Sequence, residues 1–260
     1  MRQESSTGAG LVRTALAPVV LGVALVLLWQ AAVTVWAIKP FILPGPFAIG
    51  EQFGSNLQNV ANGMAVTGRN ALVGLLVGAV IGILAAAASA LIRVFDEMAA
   101  PIVASIAVVP IVALAPVLYT MFGAGAETAR QIVAALAVFV PVYFNTLKGL
   151  RQVLPVHRDL MRAYAASNWQ ATKTVTLPTA LPYVFTGLRI ASSLAVISAL
   201  IAEYFGGPVG GLGKSITSSA ASSNYGLAWA YVLGSILLGL LFYCAALGVE
   251  KLVSRRNTGG

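Results

Sequence analysis

The sequence has little charge. Only 9% of its 260 residues are Asp, Glu, Lys or Arg, whereas 58% are hydrophobic, and the mean hydropathy is +0.87. A typical soluble domain carries about 25% charged residues, which solvate its surface. The shortage excludes an ordinary soluble enzyme and a disordered chain, and it indicates a protein dissolved in lipid.

Cysteine and histidine are also scarce, with one of each, Cys244 and His157. A lone cysteine forms no internal disulfide, and the sequence has no cluster of His, Cys and carboxylate residues for a metal. His157 lies in a polar segment, apart from the serines of the apolar runs, so no Ser-His-Asp triad is expected. We therefore predict no catalytic residue, no metal site and no cofactor bound by this chain.

Among the charges, 16 Lys and Arg exceed 8 Asp and Glu. These cations lie between apolar runs and form no basic patch interleaved with aromatic residues, so they indicate membrane topology and predict no nucleic-acid partner. The apolar runs predict six helices, at about 15–38, 70–92, 100–123, 130–150, 178–205 and 227–249. About 20 helical residues cross a bilayer. Lipid is therefore an expected partner.

The cations also predict orientation. Eleven fall on the side of the two chain ends and four on the other side, so both termini are expected in the cytoplasm. The predicted organisation is one all-α membrane domain over 15–252, between cytoplasmic tails 1–14 and 253–260. Its most polar part is the inner loop 151–177, and a short interfacial helix is expected over 47–60.

Two patterns inside the spans concern helix packing. Gly74, Gly78 and Gly82 are spaced four apart, which lets another helix approach closely, either within the bundle or between subunits. Prolines interrupt the third and fourth spans and predict kinks, which either shape the bundle or serve a pathway that opens and closes. They are Pro101, Pro110, Pro116 and Pro141.

Ionisable residues are rare inside the spans. Arg189 and Glu203 both lie in the fifth span, 14 residues apart, which is about 21 Å along a helix and too far for direct pairing. Glu203 is expected near the outer interface, and the long side chain of Arg189 could reach the cytoplasmic surface. An alternative is a role in a substrate path, for which Arg189, Ser192, Ser193 and Glu203 are the candidates.

The segment 208–215 ends in Gly213-Lys214-Ser215, like a phosphate-binding loop. Such a loop needs a glycine where this sequence has Pro208, and it follows a β-strand, whereas this segment follows a membrane helix. We therefore expect no ATP hydrolysis by this chain.

The inner loop carries the most specific pattern. Asp159 to Trp169 predicts a short amphipathic helix, and Leu177-Pro178 starts the fifth span. The stretch resembles the cytoplasmic "EAA" loop of ATP-binding-cassette (ABC) importer permeases. The matching residues are Ala166, Ser167, Trp169, Gln170, Leu177, Pro178, Leu181, Pro182 and Gly187-Leu188-Arg189. Further likeness lies in Leu43-Pro44-Gly45-Pro46, in 110–116 and in Gly211-Leu212-Gly213.

Three positions depart from the family pattern. Asp159 stands for its glutamate, Leu160-Met161 for its Ala-Ala pair, and Ala165 for its glycine. The family glycine permits a sharp turn, and alanine is disfavoured at positive φ.

The resemblance implies a type I ABC importer permease-like fold in the bacterial plasma (inner) membrane. It implies a second permease copy or paralogue, cytoplasmic ATP-binding subunits that carry ATP and Mg, and an extracytoplasmic substrate-binding protein. The residues that it assigns to ATPase coupling are Asp159, Arg162, Ala165, Ala166, Ser167 and Trp169.

The branch that the sequence resembles imports nitrate, sulfonates, taurine and precursors of thiamine or riboflavin. The segment 202–208 is similar to versions linked to vitamin or pyrimidine precursors. An organic anion is the alternative substrate. From other classes, a secondary transporter would be expected to show inverted repeats or several intramembrane carboxylates, and a membrane-embedded enzyme would need a catalytic cluster.

Overall fold

The computed structural model describes the backbone of residues 8–257, and their side chains except at 8–15, 111–112 and 254–257. Residues 1–7 and 258–260, parts of the two predicted tails, lie outside the described residues. Within the described range the chain is helical and contains no strand. The helices are α1 Gly8–Val35, α2 Pro46–Ser55, α3 Leu57–Leu91, α4 Arg93–Val108, α5 Ile111–Phe122, α6 Thr128–Arg151, α7 Pro155–Ala163, α8 Asn168–Ala171, α9 Leu177–Phe205, α10 Leu212–Ala221 and α11 Tyr225–Asn257.

Five of the described helical segments are long and apolar enough to cross a membrane, and six if one bent pair counts as a single span. The bent pair is α4 and α5, whose axes differ by 101°. Val109 is extended at the break, and Pro110 has no N–H to continue the helical hydrogen bonds. The segment predicted as the span 100–123 is thus two helices.

Two further boundaries differ from the sequence expectations. The predicted interfacial helix 47–60 ends earlier, as α2, with Pro46 in its first turn. The segment predicted as the span 70–92 belongs to α3, which begins at Leu57 and has 35 residues. That length is about 50 Å, beyond the roughly 30 Å of a bilayer core. Arg69 therefore lies within a helix and not in a loop.

The centre of the bundle is formed by α3, α6 and α9. Gly74, Gly78 and Gly82 lie on the face of α3 that contacts α6. A Cβ added at Gly82 would lie 3.1 Å from the Phe139 carbonyl oxygen, and one at Gly78 would lie 2.9 Å from Cβ of Val138. The three glycines therefore let the two backbones approach within this chain.

Helix α1 stands beside the bundle, and none of its span Leu16–Val35 is buried. Its contacts lie near one end, where the rings of Trp29 and Trp229 are 6.0 Å apart and the Phe47 N–H donates to Oε1 of Gln30 at 3.2 Å. We call this end, where α6 begins, the outer end, and the end that carries the loop 151–177 the inner end, after the orientation that the charges predict.

Candidate functional site

The inner loop contains two short helices and leads directly into α9. Pro155 occupies the first turn of α7, and neither α7 nor α8 has a buried residue. A π-helical turn at Thr172–Thr176 joins α8 to α9, so that Asn168–Phe205 is one helical segment. A force on α8 therefore acts directly on α9.

The turn between α7 and α8 is built by Ala165, which has φ 51°. Its N–H donates to the Arg162 carbonyl at 2.9 Å, and the N–H of Ala166 donates to the Met161 carbonyl at 3.0 Å. These two bonds close the end of α7 as a Schellman motif. The sharp turn that the family pattern assigns to glycine is thus present with alanine, in a conformation that favours glycine.

Ser167 starts α8 through a capping box. Its hydroxyl accepts from the backbone N–H of Gln170 at 3.3 Å, and its own N–H donates to Oε1 of Gln170 at 2.7 Å. Both bonds satisfy groups that a helix start leaves open, so the direction in which α8 leaves the turn is set locally.

Apolar and charged side chains project from this loop. Trp169 is 70% exposed, and Leu160 and Tyr164 are also exposed. Asp159 and Arg162 form an exposed ion pair of 3.4 Å on α7. The loop therefore presents both apolar and charged groups on its surface.

At the outer end, Glu203 is fully buried, which differs from the interfacial position predicted for it. Its carboxylate accepts from the Thr67 hydroxyl at 2.9 Å and from the Gly213 N–H at 3.0 Å. Nη1 of Arg130, also fully buried, lies 3.4 Å from its Oε1. One carboxylate thus joins α3, α6, α9 and α10.

The glycine-rich segment after α9 covers this ion pair. Arg130 donates to the Pro208 carbonyl, and the Leu212 N–H donates to the Thr67 hydroxyl at 2.9 Å. Gly207 has φ 95°, and a Cβ there would lie 2.7 Å from Oη of Tyr119 and 2.8 Å from Nη2 of Arg130. The segment that resembles a phosphate-binding loop therefore binds the chain's own carboxylate.

Sequence reasoning missed Arg130 and Thr67 as partners of Glu203. Thr67 gives no local signal, because it lies 136 residues away. Arg130 gives a weak sequence signal, because it lies at the start of an apolar span, where an unpaired charge is costly.

At the inner end, Arg189 on α9 pairs with Glu250 on α11, with Nη1 3.1 Å from Oε2. Their side chains are 29% and 19% exposed. Glu203 lies two residues before the outer end of α9, whereas Arg189 lies near the middle of that helix, so the two belong to separate ion pairs.

The other two path candidates, Ser192 and Ser193, lie between these two residues on α9. The Ser192 hydroxyl is buried and donates to the Arg189 carbonyl at 2.7 Å. Ser193 is half-buried and lines a cavity of about 550 Å³ between α9 and α11, together with Ser235 and Tyr243. The four candidates thus form no single site. Among the described residues, no group of His, Cys, Asp or Glu side chains is arranged to hold a metal ion.

Comparison with known proteins decides the family. A family model described as "Binding-protein-dependent transport system inner membrane component" matches residues 78–257. The chain belongs to this family. It is the membrane-spanning permease subunit of an ABC importer, a multi-pass protein of the bacterial inner membrane that forms a translocation path. Permeases of this family work with ATP-binding subunits and a substrate-binding protein.

Similar permeases carry different names. The "Riboflavin transport system permease protein RibX" of Chloroflexus aurantiacus is 31% identical over 236 residues, which are 89% of this chain and 86% of that protein. The "Formylaminopyrimidine transport permease protein ThiX" of Halalkalibacterium halodurans is 26% identical, over 92% and 95% of the two chains. The "Taurine transport system permease protein TauC" of Escherichia coli is 28% identical, over 89% and 85%.

The permease also resembles a solved structure, described as "Crystal structure of an amino acid ABC transporter with histidines". The TM-score is 0.60 at 16% identity, and the match covers 78% of this permease and 95% of that chain. The likeness supports the all-α importer fold, and that prediction is confirmed.

Proposed function

We propose that this permease imports an uncharged heterocyclic solute, such as a riboflavin or thiamine precursor, and that ATPase subunits drive it through the loop 158–170. In this proposal the permease supplies a path and mechanical coupling without covalent chemistry. ATP and Mg bind on the partner subunits, and this chain binds no cofactor. Two permeases, identical or paralogous, enclose the path within the lipid.

The proposal of an uncharged substrate rests on the charged residues inside the bundle. Arg130 is paired with Glu203, and Arg189 with Glu250. Three cavities between membrane helices are lined without a charged side chain. An organic anion that enters the membrane interior loses its hydration and needs a cation to compensate that loss. Both arginines are already neutralised by carboxylates, which favours an uncharged solute.

Relatives support the same choice. Proteins named for riboflavin and for formylaminopyrimidine match about nine-tenths of this chain, at 31% and 26% identity. A relative named for taurine matches to a similar extent, at 28% identity. Identity alone therefore leaves sulfonates, taurine or nitrate as the alternative, and the paired arginines are what supports an uncharged solute.

The exposure of the inner loop supports the docking assignment. Leu160, Tyr164 and Trp169 offer an apolar surface beside the exposed Asp159–Arg162 ion pair. Neither α7 nor α8 buries a residue in the bundle, so this surface is free for an ATPase subunit. Motion of that subunit would reach α9 through the continuous helix Asn168–Phe205.

Transport tests the substrate. The permease is reconstituted in proteoliposomes with its ATPase and offered binding proteins for riboflavin, for formylaminopyrimidine and for taurine. We expect ATP-dependent uptake of a heterocycle. Uptake of taurine alone would contradict the substrate proposal, and uptake without nucleotide would favour a secondary transporter.

Association tests the docking surface. Trp169→Ala and Asp159→Ala are expected to weaken co-purification of the ATPase subunit. The matched control is Trp36→Ala, which truncates a similarly exposed tryptophan at the outer end and should leave association unchanged. Normal association of both loop variants would contradict the docking assignment.

A further inference from the structure

In the inner half of the bundle, the space between α9 and α11 is incompletely filled. An apolar cavity of about 410 Å³ lies there among α3, α9 and α11, lined by residues that include Leu75 on α3, Leu188 on α9 and Val249 on α11. A second cavity, of about 550 Å³, lies between the same two helices around Ser193. Cavities remove the van der Waals contacts that would otherwise make two helices move together.

By contrast, α9 is closely packed against α6. A Cβ added at Gly149 would lie 2.7 Å from Cβ of Tyr183, and one at Gly187 would lie 3.0 Å from Cβ of Asn145. These close contacts join the inner halves of α6 and α9, and the Arg130–Glu203 ion pair joins the same two helices at the outer end. Among the described side chains, the Arg189–Glu250 ion pair is the polar connection between α9 and α11 in this half of the bundle.

Helix α11 extends from this ion pair to the outer end. There a Cβ on Gly226 would lie 3.2 Å from Cγ of Gln52 on α2, and one on Gly234 would lie 3.5 Å from Cδ2 of Leu212 on α10. Both α2 and α10 lie on the side that a substrate-binding protein meets in the predicted orientation. A displacement of α11 at the inner end would therefore also displace its contacts with α2 and α10 at the outer surface.

We propose that Arg189 and Glu250 are positioning residues which make α11 follow α9 when an ATPase subunit moves the inner loop. The inference rests on the proposed docking of the ATPase on that loop. The ion pair serves the coupling between ATP hydrolysis and the outer surface, whereas docking depends on the loop itself. The ion pair is stabilising because it is partly buried: either charge alone would be unfavourable in this position beside apolar cavities.

The experiment reverses the pair. Complexes carrying Arg189→Glu, Glu250→Arg or both changes are reconstituted with the ATPase and with whichever binding protein supports uptake in the panel above. The readout is the stimulation of ATP hydrolysis by that loaded binding protein, together with solute transported per ATP hydrolysed. We expect each single reversal to lower both ratios at least about fivefold, and the double reversal to restore them to within about twofold.

A matched control separates coupling from general charge effects. Arg93 and Glu97 form an ion pair within the single helix α4, with side chains 92% and 65% exposed. Reversing that pair should leave both ratios unchanged. Co-purification of the ATPase is measured on every variant, and we expect it to persist in the Arg189 and Glu250 variants. Its loss there would place these residues in docking and overturn the inference.

Neutral variants cover the case in which a reversed chain does not accumulate in the membrane. Arg189→Gln and Glu250→Gln remove one charge each without introducing repulsion, and we expect both ratios to fall in the same direction. Wild-type ratios in the two neutral variants, or a double reversal that rescues nothing, would refute the role of the pair. Failure of the docking proposal would show separately, as normal ATPase association in both the Trp169 and the Asp159 variants.

Discussion

Glu203→Gln tests the ion pair at the outer end, because it removes one charge while keeping the size of the side chain. The amide oxygen can still accept from the Thr67 hydroxyl or the Gly213 N–H, which now lie 2.9 and 3.0 Å from the carboxylate. Arg130 remains a cation, keeps its bond to the Pro208 carbonyl and loses its ion pair. The substitution therefore leaves a fully buried charge without a counter-charge.

Such a loss costs about 3–5 kcal/mol of unfolding free energy. For a chain of this size, we expect the midpoint of thermal unfolding to fall by roughly 6–20 °C. The measurement is a thermal scan of the purified permease in lipid nanodiscs, followed by intrinsic fluorescence. Neutralising both residues, as Arg130→Gln with Glu203→Gln, should raise the midpoint above that of the single variant, because no unpaired charge remains.

The control is Glu127→Gln, which breaks an ion pair with Arg69 at the same end of the bundle. Those side chains are 31% and 63% exposed, and exposed pairs contribute only about 0–1 kcal/mol. We expect its midpoint to stay within about 4 °C of the wild type. The reasoning is refuted if Glu203→Gln unfolds within that margin too, or if both variants lose the same stability.

Three further substitutions test close packing and backbone conformation. Gly78→Ala should lower the midpoint, because its Cβ would lie 2.9 Å from Cβ of Val138, whereas Gly239→Ala, with no atom within 4 Å of its Cβ, should not. Equal effects of the two substitutions would contradict the close contact between α3 and α6. Ala165→Gly should preserve or strengthen ATPase co-purification, because the φ of 51° at this position suits glycine. Weaker association would contradict the importance of this turn. Gly207→Ala should destabilise the outer end, because its Cβ would meet Tyr119 and Arg130, and an unchanged thermal scan would argue against that packing.

The membrane-spanning helices were predictable because hydrophobicity reports directly which segments contact lipid. The ends of those helices were not. The sequence pattern places Arg69 in a loop, although α3 begins at Leu57 and includes this residue. A helix continues for as long as its backbone bonds are satisfied, which hydropathy does not measure. The break at Val109 and Pro110 was foreseeable as a kink, but its size depends on neighbouring helices.

The two ion pairs show the limit most clearly. Each joins residues distant in sequence, Arg130 with Glu203 over 73 positions and Arg189 with Glu250 over 61. Sequence spacing excludes a direct contact between Arg189 and Glu203, but it does not supply their true partners. The inner loop was more accessible because the bonds of Ser167 are local, within three residues.

Burial of Arg130 has a consequence for how the permease is made. Ribosomes synthesise Arg130 long before its acid partner, since Glu203 follows 73 residues later. During that interval α6 lacks the carboxylate that pairs with this guanidinium in the folded permease, so its start is expected to stay in contact with water or lipid headgroups. Arrival of α9 neutralises the arginine, and the glycine-rich segment behind it then closes over the pair. The outer end is therefore completed late in membrane insertion, and a chain truncated before Glu203 would leave that arginine accessible to an aqueous labelling reagent.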